Sequence, residues 1–239
     1  MVAPGAARKV TIDLGAGENV SGLWLRPAKA RACLVLAHGA GAGMAHKSMI
    51  VLADELAQRD VATLRYQFAY MERGSRRPDP PAIAHAAVRA ACSKAAMLAG
   101  ELPLYAGGRS FGGRMTSQAQ AAAPLPGVRG LVFFAFPLHP AGKPSVSRAD
   151  HLAKVAVPML FLQGTRDALA ELQLLEPVVR ALGARAKLIL APDADHAFHV
   201  PAKTGRNDKD VLAALLDSAS AWIIGQQPRP KQAPSPRRG

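Results

Sequence analysis

Short, almost wholly apolar runs recur along this chain, and most are followed by a segment whose apolar residues have helical spacing. A clear example is RACLVLAHG, residues 31–39, which HKSMIVLADELAQRD, residues 46–60, follows. A run that is apolar at every position fits a strand buried on both faces, as in a parallel sheet. The alternation therefore predicts an α/β fold with a mostly parallel, doubly wound sheet and helices on both faces.

The pattern predicts eight strands. Two at the front, residues 9–14 and 20–27, flank the turn sequence GAGEN and are expected to pair antiparallel. The other six alternate with helices and have the sequences RACLVLAHG, VATLRYQF, LPLYAG, VRGLVFFAFP, VPMLFLQG and AKLILAP. About twenty residues separate the fourth and fifth of these six strands, LHPAGKPSVSRADHLAKVA, so no sizeable lid domain is expected there.

The chain has 239 residues, of which 49% are hydrophobic, enough for one domain with a substantial core. We expect residues 1–225 to form that domain and residues 226–239, QQPRPKQAPSPRRG, to form a disordered, basic, Pro-rich tail. The net charge is +13, yet no basic patch interleaved with aromatic residues is present. A nucleic-acid partner is therefore not expected.

The two cysteines, Cys33 and Cys92, lie in apolar segments and suit reduced, buried thiols. The N-terminal residues contain no apolar core of a signal peptide. The run LVFFAFPL is too short to span a bilayer. These features together predict a cytoplasmic protein without a membrane span, and they leave its oligomeric state open.

A serine between two pairs of glycines is the strongest functional signal. In LYAGGRSFGGRM, Ser110 lies between Gly108 and Gly112 and joins a predicted strand to a predicted helix. This G-x-S-x-G pattern is typical of a nucleophile elbow, a sharp turn that exposes the serine hydroxyl. The pattern alone is weak, because a glycine-rich loop produces it by chance.

Two further residues supply what a nucleophilic serine needs. Asp167 follows the strand VPMLFLQG, and His196 follows the strand AKLILAP. The order Ser, Asp, His, with each residue after a later strand, is the order that a base and its orienting acid take in such folds. Asp193 and Asp195 compete with Asp167, and His199 competes with His196. We favour Asp167 because Asp193 and Asp195 lie on the same loop as His196 and too near it in sequence to orient it. We favour His196 over His199 because of its position just after the strand loop.

The glycine-rich segment HGAGAG predicts an oxyanion hole. It follows an apolar strand, and its backbone can approach a reacting carbonyl closely. We expect one donor to be the N–H of Phe111 and the other to be that of Ala40, with Gly39 or Gly41 as alternates. His38 is expected to hold this loop by a hydrogen bond.

Competing uses of these residues fail on spacing. GAGAGM lacks the last glycine of G-x-G-x-x-G, no G-x-x-x-x-G-K-[ST] motif is present, and HAFH lacks a third ligand at metal-binding distance. No cofactor and no metal are therefore expected.

Several residues near the predicted strand ends are candidates for substrate contact. Gly41, Tyr70 and Met71 could line a pocket, with loop packing as the alternative. Arg109 could meet a substrate carboxylate, but an exposed or ion-paired arginine is the favoured alternative. His139, in PLHP, is assigned a structural role in preference to a catalytic one.

The motifs together resemble those of the α/β-hydrolases. Within that fold the chain is similar to the small-hydrolase family that includes testis-expressed protein 30 and the KANL3 regulatory subunit, distantly related to dienelactone hydrolases. The matching stretches run from residue 36 to residue 198 and include LAHGAGAGMAH, GGRSFGGRM, FPLHPAGKP, LFLQGTRDAL and DADHAF. The resemblance implies Ser110 as nucleophile, Asp167 as acid, His196 as base and an exposed site.

These observations predict a serine hydrolase that cleaves a small carboxylic ester or thioester through a Ser-His-Asp triad and an acyl-enzyme. The alternative from another class is a non-catalytic scaffold of the same fold that binds a protein partner. All three triad residues are present, which favours the enzyme.

Overall fold

The structure is a computed structural model that describes residues 6–226. Within those residues, eight strands form one sheet in the order β1-β2-β4-β3-β5-β6-β7-β8. The strands are β1 (Arg8–Gly15), β2 (Glu18–Leu25), β3 (Ala32–Ala37), β4 (Val61–Tyr66), β5 (Leu104–Arg109), β6 (Val128–Phe134), β7 (Met159–Gly164) and β8 (Ala186–Ala191). Strand β2 pairs antiparallel with β1 and β4, and the pairs from β4 to β8 are parallel.

Six α-helices lie in the described part of the chain. They are α1 (Lys47–Ala57), α2 (Ala69–Glu72), α3 (Pro81–Ala99), α4 (Phe111–Ala122), α5 (Leu172–Ala181) and α6 (Asp208–Gly225). Helix α3 begins with Pro81 in its first turn, where the missing N–H has no intrahelical partner to lose. Asn207 caps α6 by accepting a hydrogen bond from the N–H of Asp210.

The parallel strands carry the core because both faces of the sheet are covered. Every residue of β3, β4 and β7 is buried, including the polar Thr63, Arg65 and Gln163 among their mostly apolar residues. One apolar cluster contains the packed faces of α3 and α4, and the other contains those of α1 and α6. The predicted mostly parallel, doubly wound α/β sheet is confirmed.

The expectation of no sizeable lid is also confirmed. After β6 the chain makes a turn and a 3₁₀ segment, Ser147–Lys154, before it enters β7. That segment packs against α4, buries Ala149 and Leu152 in the core and adds no further domain.

Two small features escape the sequence pattern. Helix α2 is only four residues long and follows directly after β4, in a stretch that the pattern leaves without structure. The sequence pattern predicts a closing helix from Asp210, whereas α6 begins two residues earlier, at Asp208, because the capping side chain is Asn207. The sequence pattern misses α2 because a single turn of helix has too few residues to show an apolar period.

The structure leaves some sequence expectations outside its range. Residues 227–239 of the predicted basic tail lie outside the described residues. Among residues 6–226, no helix is both long enough and apolar enough to cross a membrane. Cys33 and Cys92 are buried and free, and burial raises the pKa of both thiols, that of Cys92 to about 12. Neither thiol is therefore a reactive group at neutral pH.

Candidate active site

Ser110 occupies a strained backbone position between β5 and α4. Its φ is 50° and its ψ is −119°, a region that non-glycine residues rarely adopt. The N–H of Ser110 donates to the carbonyl of Phe134 at 3.0 Å, and its own carbonyl accepts from the N–H of Arg114. The turn is thus fixed at both ends, by β6 and by the first turn of α4.

The glycines around the elbow allow α4 to lie directly against β3. A Cβ added at Gly108 would lie 2.3 Å from the carbonyl oxygen of Ala37. One added at Gly112 would lie 2.6 Å from the carbonyl oxygens of Ala37 and His38. Any side chain at either position would push the elbow away from the strand, which explains the two glycines of the motif.

The structure brings three residues from distant parts of the sequence into one hydrogen-bonded line. His196 Nε2 lies 2.8 Å from Ser110 Oγ, and His196 Nδ1 lies 2.7 Å from Asp167 Oδ2. Since a carboxylate only accepts, Nδ1 carries the proton and Nε2 is free to accept the serine proton. Asp167 is buried, whereas His196 is partly exposed to solvent.

A buried glutamine holds the aspartate, and the sequence interpretation missed it. Gln163 Nε2 donates to Asp167 Oδ2, and Gln163 Oε1 accepts from the N–H of Phe136 at 2.9 Å. The N–H of Leu169 donates to Asp167 Oδ1 at 2.8 Å. A lone polar residue inside an otherwise apolar strand, MLFLQG, was the available signal.

The competing acids and the competing histidine lie elsewhere. Asp195 Oδ1 accepts hydrogen bonds from the N–H groups of Ala197 and His199, and it thereby shapes the loop that carries His196. Asp193 is exposed. His199 is also exposed and pairs with Asp208 at 2.9 Å. The structure therefore assembles Asp167 and His196 with Ser110, and it leaves the three alternatives outside this line.

Two backbone N–H groups beside the elbow have no hydrogen-bond acceptor among residues 6–226. Phe111 is the first residue of α4, so its N–H has no acceptor within the helix. Among the hydrogen bonds of residues 6–226, the N–H of Ala40 has no partner. The loop passes close to the elbow, since a Cβ added at Gly39 would lie 3.8 Å from Ser110 Cβ. The N–H of Gly41 instead donates to Tyr70 Oη at 3.2 Å.

Two side chains, those of His38 and Gln67, hold the glycine-rich loop after β3 by hydrogen bonds. His38 Nε2 accepts from the N–H of Phe68, so Nδ1 carries the proton and donates to the carbonyl of Gly39 at 2.8 Å. Burial lowers the pKa of His38 to about 4 and keeps the ring neutral. Gln67 Oε1 accepts from the N–H of Met44 at 2.8 Å. The predicted loop-holding role of His38 agrees with these contacts.

Tyr70 and Met71 support the same loop from α2. Tyr70 is buried and holds Gly41, and the Met71 side chain lies beneath Gly43. Neither residue is among those that line the cavity at Ser110. Their positions agree with loop packing, the alternative to substrate contact.

A cavity of about 460 Å³ opens beside the serine. Ser110, Ala40 and Phe111 line it, together with Asp79, Pro78, Pro81, Arg114, Met115, Pro137, Pro140, Arg148 and Leu169. Its volume is in the range of small-molecule sites. A larger groove of about 830 Å³ lies between α1 and the start of α6, but Ser110 does not line it. Ser110 and both candidate donor residues meet at the smaller cavity.

Arg109 and His139 lie beside the site and not in that cavity. Arg109 borders the larger groove, and its Nη2 donates to the carbonyl of His196 at 3.5 Å. Burial lowers the pKa of Arg109, and the charges of Asp195 and Asp167 act in the opposite direction. His139 is fully buried, donates from Nδ1 to the carbonyl of Pro140 and accepts from the N–H of Glu171. These contacts suit support of the surrounding loops.

No metal centre is formed by the part of the chain that the structure describes. Across residues 6–226, no three His, Cys, Asp or Glu side chains are grouped so that they could hold a metal ion.

One known protein family matches most of the chain. The alpha/beta hydrolase domain family matches residues 30–224, most of the chain. The chain therefore belongs to the alpha/beta hydrolase domain family.

Solved structures share the whole architecture at low sequence identity. A dienelactone hydrolase from Anabaena variabilis has a TM-score of 0.75 and 21% identity over 93% of this chain and 98% of that chain. An a/b serine hydrolase without lid from Xanthomonas campestris has a TM-score of 0.71 and 21% identity over 95% and 98%. The esterase domain of a Rhodothermus marinus protein has a TM-score of 0.69 and 18% identity over 92% and 99%. These likenesses establish the shared fold.

Proposed function

We propose that the protein is a serine hydrolase that cleaves a small carboxylic ester or thioester through an acyl-enzyme. The observation that carries this proposal is the line from Ser110 Oγ through His196 to Asp167, with separations of 2.8 and 2.7 Å. The cavity that opens at Ser110 provides a place for the reacting carbonyl. The names of the solved structures, which include an esterase domain and a dienelactone hydrolase, agree with ester chemistry.

In the first half of the reaction, Ser110 Oγ attacks the carbonyl carbon and its proton moves to His196 Nε2. Asp167 keeps the second proton of the ring on Nδ1 and stabilises the imidazolium that forms. The carbonyl π electrons move to the oxygen, and the N–H groups of Ala40 and Phe111 donate hydrogen bonds to it. One such donor is worth about 3–4 kcal/mol in the transition state.

In the second half, the tetrahedral intermediate collapses and the bond to the leaving oxygen or sulfur breaks. His196 gives its proton to that leaving group, and an ester or acyl thioester becomes an alcohol or thiol plus the acyl-enzyme. Water then attacks the acyl carbon while His196 takes its proton. The bond between the acyl carbon and Ser110 Oγ then breaks, Oγ takes the proton from His196, and the acid product is released. The proton count of the site is the same before and after one turnover.

The strained backbone of Ser110 favours this reaction over the scaffold alternative. Holding a serine at φ 50° costs free energy, and a protein that only binds a partner would gain nothing from that strain. The exposed edge of His196 and the absence of a lid after β6 fit a small or surface-accessible substrate. Within the family, the motifs HGAGAG and GGRSFGGRM support a place near testis-expressed protein 30 and the KANL3 subunit.

Labelling with a fluorophosphonate probe tests the nucleophile directly. We expect the wild-type protein to be labelled and to hydrolyse short p-nitrophenyl esters, and we expect Ser110→Ala to lose both activities. A series of esters of increasing acyl length would report the depth of the cavity through kcat/KM.

Ser117→Ala is the matched control. Ser117 lies on the same helix, is buried and has a histidine, His151, 2.7 Å from its hydroxyl, but it does not line the cavity at Ser110. This variant should be labelled like the wild type. An unlabelled wild-type protein that hydrolyses none of the esters would overturn the proposed function and favour the scaffold.

A further inference from the structure

Two arginines line the same cavity as the candidate nucleophile. Arg114 lies on α4 four residues after Ser110, about 6 Å further along the helix axis and on the same face. Arg148 lies on the 3₁₀ segment Ser147–Lys154, which packs against α4. Both guanidinium groups therefore border the space beside Ser110.

Neither arginine has a carboxylate partner among residues 6–226. Arg114 Nε is buried and has no hydrogen-bond partner, and the contact that its guanidinium makes is with the ring of Phe111, 5.9 Å from the centroid. Burial, followed by the like charge of Arg148, lowers the pKa of Arg114. Burial also lowers the pKa of Arg148. Two partly buried like charges thus oppose each other beside Ser110.

Asp79 lines the same cavity and is paired with a different arginine. Its Oδ1 accepts from Arg73 Nη2 at 2.5 Å, and its buried Oδ2 has no hydrogen-bond partner among residues 6–226. Arg59, by contrast, is paired with Glu55 at 2.6 Å and with Asp217 at 2.7 Å. Arg114 and Arg148 therefore lack the direct ion pairs that Arg59 has.

We propose that the substrate carries a carboxylate that Arg114 and Arg148 bind while its ester carbonyl lies at Ser110. This inference rests on the proposed hydrolase function and names its substrate class, an anionic ester or thioester. A carboxylate would supply an acceptor to these arginines, and a guanidinium can hold both of its oxygens. The bound anion also removes the repulsion between the two arginines, so binding gains from both effects.

The test compares two esters that differ only in charge: monoethyl adipate and its primary amide, ethyl 6-amino-6-oxohexanoate. Ethanol release gives kcat/KM for each ester. We expect the wild type to prefer the anionic ester by roughly 10- to 100-fold, the range of a hydrogen bond to a charged group. Arg114→Met with Arg148→Met should remove that preference, so that the ratio of the two kcat/KM values falls to about one.

Matched variants separate binding from folding. Arg129→Met removes an exposed arginine that does not line this cavity, and the preference should remain. Arg114→Lys keeps the charge and loses the bidentate fork, so we expect an intermediate preference. Equal rates for both esters in the wild type, or an unchanged preference in the double methionine variant, would overturn the inference while the hydrolase function stands.

A binding measurement distinguishes failure of the inference from failure of the proposed function. If neither ester is hydrolysed and the fluorophosphonate does not react, the proposed function fails. Titration calorimetry with adipate and with adipamide then tests the arginine site by itself. Adipate binding that the double methionine variant loses would support the site, whereas no adipate binding to the wild type would overturn it.

Discussion

At the scale of single residues, the candidate triad depends on a glutamine that touches neither substrate nor serine. Gln163 is fully buried and ties Asp167 to the backbone at the end of β6 through Phe136. Because its amide donates to the oxygen that also faces His196, it sets how the carboxylate is oriented and how its charge is shared. We regard Gln163 as a positioning residue.

Gln163→Leu should slow the reaction more than it changes substrate binding. We expect kcat to fall about 10- to 100-fold with little change in KM, since a misplaced carboxylate no longer orients the imidazole. Separate measurement of kcat and KM on a short p-nitrophenyl ester checks this split.

Gln120→Leu controls for the loss of a buried amide. Gln120 is also buried, and its Oε1 accepts from the N–H of Leu125 at 2.8 Å, at the far end of α4. Both variants should lose about 1–3 kcal/mol of unfolding free energy, because each leaves a buried N–H without its acceptor. Only Gln163→Leu should lower kcat. A wild-type kcat in Gln163→Leu would contradict the positioning role.

At the scale of elements, the site is a meeting of loops at one edge of the sheet. The elbow follows β5, Asp167 follows β7 and His196 follows β8, and the glycine-rich loop follows β3. These parallel strands run in the same direction, so their carboxyl ends lie together. The close contact of α4 with β3 then sets the distance between the two candidate oxyanion donors.

Gly112→Ala tests that contact. The added methyl group would lie 2.6 Å from two carbonyl oxygens of the β3 end, so α4 must shift away from the strand. We expect a loss of about 1–3 kcal/mol of unfolding free energy from overpacking. The rate of fluorophosphonate labelling should also fall, because Phe111 moves relative to Ala40.

Gly225→Ala is the control for this substitution. Gly225 ends α6, and a Cβ there would meet nothing within 4 Å. Thermal unfolding should show unchanged or slightly raised stability, and labelling should match the wild type. Wild-type stability and labelling in Gly112→Ala would mean that the contact between α4 and β3 is not a constraint.

At the scale of the whole molecule, buried neutral histidines link stability to pH. Burial lowers the pKa of His38 from 6.5 to about 4, and burial with the charges of Arg114 and His85 lowers that of His151 to about 4. Above pH 6.5 these rings are neutral in both the folded and the unfolded chain. As the pH falls from 6.5 towards 4, the unfolded chain takes up protons that the folded chain does not, and stability falls.

Urea unfolding at several pH values measures this linkage. His38 alone should account for about 3 kcal/mol of lost unfolding free energy between pH 7 and pH 4. His38→Asn should be less stable at pH 7, where it loses its two backbone contacts, but its stability should depend less steeply on pH. His46→Asn replaces the exposed cap of α1 and should keep the wild-type slope. Equal slopes in all three proteins would contradict the linkage.

Much of this architecture could be predicted from local pattern. The eight strands, the longer helices and the lidless connection after β6 followed from apolar runs and their spacing, since each run is long enough to show its period. Helix α2 and the 3₁₀ segment Ser147–Lys154 did not, because single turns and irregular segments have no period to detect. The family match over residues 30–224 agrees with the predicted fold.

The sequence by itself determined the strand and helix pattern and brought forward Ser110, Asp167 and His196 as candidates, because these depend on residue types at fixed positions relative to strand ends. Only the tertiary structure decided that Gln163 supports Asp167, that His139 and Tyr70 support loops, and that Arg114 and Arg148 share the serine's cavity. The physical reason is that sheet order and side-chain packing bring together residues far apart in the chain, and local periodicity carries no record of those contacts.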